Sequence, residues 1–161
     1  PLSGKKRSFS FETVMLHESK IKELLLAKAD GYEITFIGVS LARPELNVAR
    51  VALRVSEGGH DVPTDRILAR YERTMNLTPQ AMLIADRSLI FDNSYSAVEP
   101  LLVLTSRIVQ PNSGASQLNL RISKTWQDDF ASWVHRYLVD GLKPACQDQG
   151  IELVYGAALV P

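Results

Sequence analysis

The basic residues in the middle of the sequence are strongly biased towards arginine. Six arginines and no lysine occur between positions 43 and 73. They are Arg43, Arg50, Arg54, Arg66, Arg70 and Arg73. A guanidinium group is a rigid planar fork that donates two parallel hydrogen bonds to phosphate oxygens, whereas lysine is a flexible point charge. The bias therefore favours recognition of a phosphate-bearing ligand.

Three of these arginines should share one side of a predicted helix. Arg66, Arg70 and Arg73 are spaced by four and then three residues, which places them on a single helical face. Apolar residues lie on the opposite face: Ile67, Leu68, Tyr71 and Met75. A solvated face partly neutralised by Asp65 and Glu72 explains the spacing equally well, so both interpretations stay open at this point.

A carboxylate beside a hydroxyl lies near the end of the first predicted strand. Residues 8–14 place phenylalanine at alternate positions, which predicts a strand that includes Glu12 and Thr13. In open α/β sheets ligands bind beyond the carboxyl ends of strands, so these two side chains are candidates to hydrogen-bond a sugar-like substrate. The alternative is that Glu12 is an ordinary solvent-exposed or helix-capping residue.

Two further polar loops are candidates for the same site. In residues 58–63, two glycines and a proline flank His60 and Asp61, which is the composition of a hinged lid. Asp92 and Asn93 directly follow another predicted strand, where ligands gather. The simpler interpretations are a helix end for the first loop and a tight turn for the second.

The elements that would position these residues alternate between helix and strand. Helical periodicity and end signals predict helices over residues 18–29, 44–57, 63–75, 78–85 and 126–142. After the strand at 8–14, apolar runs predict strands over 34–39, 88–91 and 101–104, and a polar loop over 110–117. This order predicts one three-layer α/β domain over residues 1–161 with a mostly parallel sheet.

Composition excludes several classes of protein. The 161 residues include 18 basic and 18 acidic side chains, so no net field attracts nucleic acid or an anionic membrane. The single cysteine, Cys146, has no partner for an internal disulfide, and no apolar run is long enough to span a bilayer. The three histidines are far apart, which gives no zinc-binding spacing. We expect a cytoplasmic protein with no metal site built from this chain alone.

Four segments resemble the zeta-toxin family of P-loop kinases in their order and spacing. They are residues 8–15 (SFSFETVM), 58–63 (GGHDVP), 67–73 (ILARYER) and 91–94 (FDNS). The resemblance covers about residues 7–94, and its specificity comes from the agreement of four separate motifs. Beyond Ser94 the sequence contains no motif of the family.

The resemblance implies a P-loop kinase fold that moves the γ-phosphoryl group of ATP, bound with Mg²⁺, to a hydroxyl of a UDP-linked N-acetylamino sugar. It also implies three sets of site residues. Arg54, Arg70 and Arg73 would act on the phosphates in catalysis, Glu12, Thr13, His60 and Asp61 would bind the acceptor, and Arg66, Asp92 and Asn93 would contact the nucleotide. An antitoxin protein is a candidate partner besides the UDP-sugar substrate.

The nucleotide-binding loop of the family has no counterpart in this sequence. Gly4 and Lys5 are similar to the end of such a loop, but Lys6 stands where serine or threonine is required. The loop lysine and the catalytic aspartate of the family both precede the matching segment. We therefore expect this chain to be the C-terminal part of a kinase and inactive by itself.

Two other hypotheses compete with a kinase. One is a non-catalytic remnant that keeps a surface for a sugar nucleotide or a protein partner. The other is nucleic-acid binding through the arginines, which the balanced charge disfavours.

Overall fold

The computed structural model describes residues 7–95, 99–123 and 133–159. Within these ranges the chain forms four α-helices and a five-stranded sheet, which confirms the predicted α/β class. The helices are α1 (Glu18–Ala29), α2 (Pro44–Ser56), α3 (Thr64–Ile84) and α4 (Asp140–Asp148), and a π-helical segment (Val134–Val139) leads directly into α4. The strands are β1 (Thr35–Ser40), β2 (Arg87–Asp92), β3 (Leu101–Val109), β4 (Gln117–Ile122) and β5 (Glu152–Tyr155).

The sheet is mixed, which corrects the prediction of a mostly parallel sheet. The strands lie in the order β1-β2-β3-β4-β5. The outer pairs, β1 with β2 and β4 with β5, are parallel, and the two inner pairs are antiparallel. A parallel pair needs a crossover of a dozen or more residues. Residues 93–100 and 110–116 are too few for one, so β2, β3 and β4 must run alternately up and down.

Helix α3 is continuous where two helices were predicted, over 63–75 and 78–85. Pro79 lies inside it and removes one backbone hydrogen bond. The helix continues because Met75 and Met82, on either side of the proline, are buried in the same core cluster. Although α3 has 21 residues, no helix in the described ranges is both long and apolar enough to cross a membrane.

Residues 8–14 are not a strand, contrary to the prediction. The segment is irregular and exposed, and it lies beside the helices. The ring of Phe9 meets Tyr32 edge-on with 5.3 Å between centroids, and the Thr74 hydroxyl of α3 donates to the Val14 carbonyl at 2.8 Å. The alternating phenylalanines therefore contact aromatic and helical neighbours, and no strand precedes α1 within residues 7–17.

Most other predicted elements agree with the structure. The predictions for 18–29, 34–39, 44–57 and 88–91 match α1, β1, α2 and β2 within one residue at each end. Strand β3 extends the predicted 101–104 strand to Val109, and the polar loop follows it. Strands β4 and β5 were not predicted. For the predicted helix over 126–142, residues 124–132 lie outside the described ranges, and the described remainder is helical as far as Asp148.

One face of the sheet is covered by α3, the π-helical segment and α4. Side chains that point to this face alternate along β2, β3 and β4 and form one buried cluster with the helices. Its most deeply buried members include Met82, Ile90, Leu104, Leu118, Leu120, Leu138 and Leu142. Helix α1 adds a second, smaller cluster against the end of α3, through Ile21, Leu24, Ala81 and Ala85.

The opposite face of the sheet changes from apolar to polar across its width. On β1, Ile37 and Val39 are 60% and 59% exposed, and the paired residues Leu89 and Phe91 on β2 are half-buried. We call these four residues the open face. Further across, the same face carries polar residues: Arg107, Asn119 and Arg121. Strand β1 is also the edge of the sheet and contains no charged residue.

The packing of α4 on α3 predicts an unusual effect for a glycine substitution. A Cβ atom at Gly141 would lie 2.7 Å from Cγ of Pro79. Helix propensity alone favours alanine over glycine by about 1 kcal/mol. Gly141→Ala should nevertheless lower the free energy of unfolding by roughly 1–3 kcal/mol, because the two helices must separate. Urea denaturation measures the change, and Gln147→Ala, exposed on the same helix, is the matched control. A stabilised Gly141→Ala variant would contradict the described packing.

Candidate anion-binding site

The candidate site lies where the parallel strands β1 and β2 end. Their last residues, Ser40 and Asp92, are direct neighbours in the sheet register. The backbone N–H of Asn93 donates to the Ser40 carbonyl at 2.8 Å, which continues the pairing by one residue. The two loops that follow these strands therefore start side by side at the carboxyl edge of the sheet, where ligands bind in α/β folds.

The carboxylate of Asp92 is buried at this edge and is 2% exposed. One of its oxygens accepts hydrogen bonds from the Ser94 backbone N–H at 2.7 Å and from the Ser94 hydroxyl. The other oxygen accepts from the indole Nε1 of Trp133 at 3.0 Å. The Ser94 hydroxyl oxygen in turn accepts from the N–H of Ala42 at 2.8 Å. Asp92 thus joins β2, the loop after β1 and the C-terminal helical segment.

Helix α3 passes the carboxyl edge and continues beyond it. The hydroxyl of Tyr71 donates to the Leu41 carbonyl at 2.9 Å, which fixes this turn of α3 level with the end of β1. From there the helix runs back along the strands to Ile84, just before β2 begins. Its first residues, from Thr64 to Tyr71, therefore extend past the sheet by roughly 10 Å at 1.5 Å per residue.

The predicted arginines of α3 are exposed on this projecting part and just behind it. Arg66, Arg70 and Arg73 form no hydrogen bond or ion pair with any residue in the described ranges. Glu72 does not neutralise them, because it accepts a hydrogen bond from the Tyr137 hydroxyl at 2.7 Å. Asp65 forms no ion pair with them either. Their N–H donors are therefore available to a ligand.

Helix α2 contributes a second row of arginines. Arg50 and Arg54 are four residues apart and share one side of the helix, and Arg43 is the extended residue that caps its start, seven residues before Arg50. Arg50 donates through Nη2 to the Asn93 carbonyl at the end of β2. Arg54 donates through Nη2 to the His60 carbonyl at 3.0 Å. We call these three residues the α2 arginine row.

The loop after α2 is shaped by its close approach to Arg54. Gly58 has a φ of 89°, which only glycine adopts readily, and α2 ends just before it. A Cβ at Gly59 would lie 2.6 Å from Cγ of Arg54. His60 and Asp61 are exposed, and the His60 carbonyl holds the Arg54 guanidinium. The predicted acceptor-binding loop is thus brought to the α2 arginine row.

Glu12 and Thr13 lie beside α3 and not at a strand end, because their segment forms no strand. The Thr13 hydroxyl oxygen accepts from the N–H of Met15 at 3.2 Å, and Glu12 is exposed. The next residue, Val14, is held by Thr74, the sequence neighbour of Arg73. The segment is therefore held against α3 beside the position of Arg73, and neither Glu12 nor Thr13 forms a hydrogen bond or ion pair with an α3 arginine.

Asp92 and Asn93, predicted to contact the nucleotide, are both occupied by the protein. The Asp92 carboxylate already has three donors, and Asn93 binds neighbouring elements through its backbone. That the side chains of Asp92 and Asn93 contact a nucleotide stays a prediction. Arg50 and Trp133 were not predicted as site residues. The seven-residue spacing from Arg43 could have indicated Arg50, whereas no local pattern indicates the pairing of Trp133 with Asp92.

An open depression of about 520 Å³ lies along the start of α2. It is lined by Arg43, Glu45, Leu46 and Ala49. Arg43 therefore borders an open, solvent-exposed surface at the start of α2.

Comparison with known proteins leaves the family open. No family model and no solved structure matches the chain. A curated relative from Haemophilus influenzae, named only as an uncharacterized protein, is 32% identical over 63 residues. That match covers 39% of this chain and 45% of the relative, so the chain spans less than half of the relative's length. The site must be interpreted from its own geometry.

Two tyrosines near the carboxyl edge, Tyr71 and Tyr137, have raised pKa values. Burial, with neighbouring Tyr137 and Glu72, raises the pKa of Tyr71 well above its ordinary value of 10.0. Burial and the hydrogen bond to Glu72 likewise raise the pKa of Tyr137. The two rings meet edge-on with 5.8 Å between their centroids. Both hydroxyls therefore stay protonated at neutral pH and act as hydrogen-bond donors.

The raised pKa of Tyr71 predicts how stability falls at high pH. Above about pH 10 the unfolded chain loses this proton first, so the folded state binds more protons and stability falls as pH rises. Tyr71→Phe should make this fall shallower above pH 10. At neutral pH it should lower the free energy of unfolding by about 1 kcal/mol, because the Leu41 carbonyl loses its donor.

Urea denaturation between pH 8 and 11 measures this dependence. Tyr155→Phe, at an exposed position, should follow the parent protein. An unchanged slope in the Tyr71→Phe variant would show that the hydroxyl is not held as described.

Proposed function

We propose that this chain is the acceptor-binding and arginine-bearing part of an ATP-dependent small-molecule kinase of the zeta-toxin type. The reaction would transfer the γ-phosphoryl group to a hydroxyl of a UDP-amino-sugar-like acceptor. ATP with Mg²⁺ would supply that group. The chain's own residues would bind the acceptor, orient it and balance the phosphate charge.

The observation that carries the proposal is the position of the arginines on α3. Arg66 and Arg70 project past the carboxyl edge of the parallel strand pair, and Arg73 lies on the same helical face. Their N–H donors have no partner within the described ranges. Phosphoryl transfer relies on positioned cations that balance charge on the transferred group. A rigid helix that extends past the parallel strands and carries three free guanidinium groups on the face opposite its packed side offers such cations to a phosphate-bearing ligand.

The surrounding residues support distinct roles in the same reaction. Arg54 is held by the GGHDVP loop through the His60 carbonyl, and we propose that it joins Arg70 and Arg73 in binding the phosphates. Glu12 and Thr13 directly precede Val14, which Thr74 of α3 holds, and we propose that they bind an acceptor brought to this helix. These residues fit phosphate and sugar oxygens.

The residues present fit ATP and Mg²⁺ only in part. The 161 residues contain no GxxxxGK[ST] sequence, and the Asp92 carboxylate would have to break buried hydrogen bonds to reach a metal ion. We propose that a further polypeptide segment supplies the nucleotide loop. The open face and the unpaired, uncharged edge of β1 support this, since parallel strands in α/β folds are normally covered on both faces.

The lack of a nucleotide loop also favours a second candidate function. A non-catalytic module could use the same arginines to bind a sugar nucleotide without transferring phosphate. Calorimetry on the 161-residue chain distinguishes the two candidates. Tight binding of UDP-N-acetylglucosamine without any binding or turnover of ATP, even when the full natural reading frame is expressed, would favour the module.

The kinase proposal predicts the effect of removing the α3 arginines. In the full natural reading frame, Arg70→Ala and Arg73→Ala should each lower kcat/KM for phosphorylation of a UDP-amino sugar by a factor on the order of 10³, the effect of losing a transition-state arginine. Phosphorylated product is measured by mass spectrometry after incubation with ATP and Mg²⁺.

Arg107→Ala is the matched control for this test. Arg107 is also exposed, but it pairs with Arg87 at the start of β2, at the opposite end of the sheet. Its variant should keep the parental rate. Equal rates in the parent and in both α3 variants would refute the role of these arginines.

A further inference from the structure

One member of the α2 arginine row, Arg50, is held by the backbone of the loop that follows β2. The guanidinium group of Arg50 donates one hydrogen bond to the Asn93 carbonyl. Arginine has five N–H donors, and the rest of this group makes no hydrogen bond with any residue in the described ranges. Arg50 is exposed, so its free donors face solvent at the carboxyl edge.

The position of the Asn93 carbonyl depends on a chain of buried contacts. Asn93 is fixed on one side by the hydrogen bond from its N–H to the Ser40 carbonyl. On the other side, Ser94 is fixed by the Asp92 carboxylate through both its N–H and its hydroxyl. The carbonyl between these anchors has little freedom to rotate. Its direction therefore sets the direction of the Arg50 guanidinium.

The same carboxylate is anchored by the C-terminal half of the chain. Trp133, at the start of the π-helical segment, is 3% exposed and donates through Nε1 to Asp92. Without this donor, one carboxylate oxygen would be buried with no partner and Asp92 would tend to turn towards solvent. Trp133, forty-one residues after Asp92, thus controls the geometry of the loop that follows β2.

We propose that Arg50 binds a phosphate group of the ligand, and that Trp133 is a positioning residue that orients Arg50 through Asp92 and the Asn93 carbonyl. The inference rests on the proposed function in one respect, namely that a phosphate-bearing ligand occupies the carboxyl edge. It gives a specific role to Arg50, which the sequence indicated only as one of six arginines and to which the family resemblance assigned no role. It also gives the C-terminal helical segment a part in ligand binding.

The test is calorimetric titration of the 161-residue chain with inorganic pyrophosphate at low salt. Arg50→Ala and Trp133→Phe should each weaken binding by about tenfold, the effect expected for losing one charge-assisted hydrogen bond. In the Arg50→Ala background, Trp133→Phe should weaken binding no further, because its effect passes through Arg50. A purely stabilising role for Trp133 would not produce this dependence.

Two more variants separate positioning from stability. Cys146→Ala removes a buried side chain that forms no hydrogen bond with Asp92, Ser94 or Trp133, so it should lower stability and keep parental affinity. Ser94→Ala breaks the link between Asp92 and the Ala42 N–H and serves if Trp133→Phe does not fold. It should weaken binding in the parent and not in the Arg50→Ala background.

Three results would overturn the inference. They are parental affinity in Arg50→Ala, an additional loss on combining Trp133→Phe or Ser94→Ala with Arg50→Ala, and a parent chain that does not bind pyrophosphate. The last result would leave the kinase proposal standing, because that proposal is tested by product formation with the α3 arginine variants. If the α3 arginine variants kept the parental rate of product formation while pyrophosphate binding behaved as expected, the kinase proposal would fail and the role of Arg50 would stand.

Discussion

The buried carboxylate of Asp92 is the constraint on which the geometry of the carboxyl edge depends. A carboxylate removed from water is strongly destabilising unless its oxygens are hydrogen-bonded. Here the donors come from Ser94 and from Trp133, one two residues away in the chain and one forty-one residues away. Satisfying this one group therefore fixes the end of β2, the loop after β1 and the start of the C-terminal helical segment relative to one another.

The arginine-bearing helices start from this fixed edge. Helix α2 leaves the loop held by Ser94, and α3 is tied to the same loop by the Tyr71 hydroxyl. Because helices are stiff, anchoring one turn of α3 is enough to position guanidinium groups one or two turns away. The uncovered apolar side of β1 lies on the face of the sheet opposite α3 and ends at the same carboxyl edge. In this way the fold combines helices that carry exposed arginines with an uncovered apolar face at the same end of the sheet.

Local patterns were sufficient to predict the elements whose stability is local. The boundaries of α1 and α2 follow from apolar spacing, from Pro44 at a helix start and from Gly58 after a helix end, and the structure agrees with them. The alternating phenylalanines at 8–14 led to a wrong strand prediction, because an alternating apolar pattern does not form a strand unless a neighbouring strand is available for pairing. The two inner hairpins turned a predicted parallel sheet into a mixed one, although their short connections were visible in the sequence.

The contacts that organise the candidate site could not be predicted in the same way. The arginine bias indicated a cationic surface, but not which guanidinium groups would be held by carbonyls and which would stay free. The bond from Trp133 to Asp92 joins segments with no shared periodicity or motif. Such contacts depend on tertiary packing, so one sequence could indicate the residue types of the site and only part of their arrangement.

If arginines of α2 and α3 bind anionic groups together, one ligand must perturb guanidinium groups on both helices. Nuclear magnetic resonance of the arginine Nε–Hε groups during titration with UDP-N-acetylglucosamine measures this joint binding. Saturable shifts are expected for Arg50, Arg54 and Arg70, with Arg107 unchanged at the opposite end of the sheet. Shifts of equal size at all arginines, or confined to Arg107 and Arg121, would contradict it.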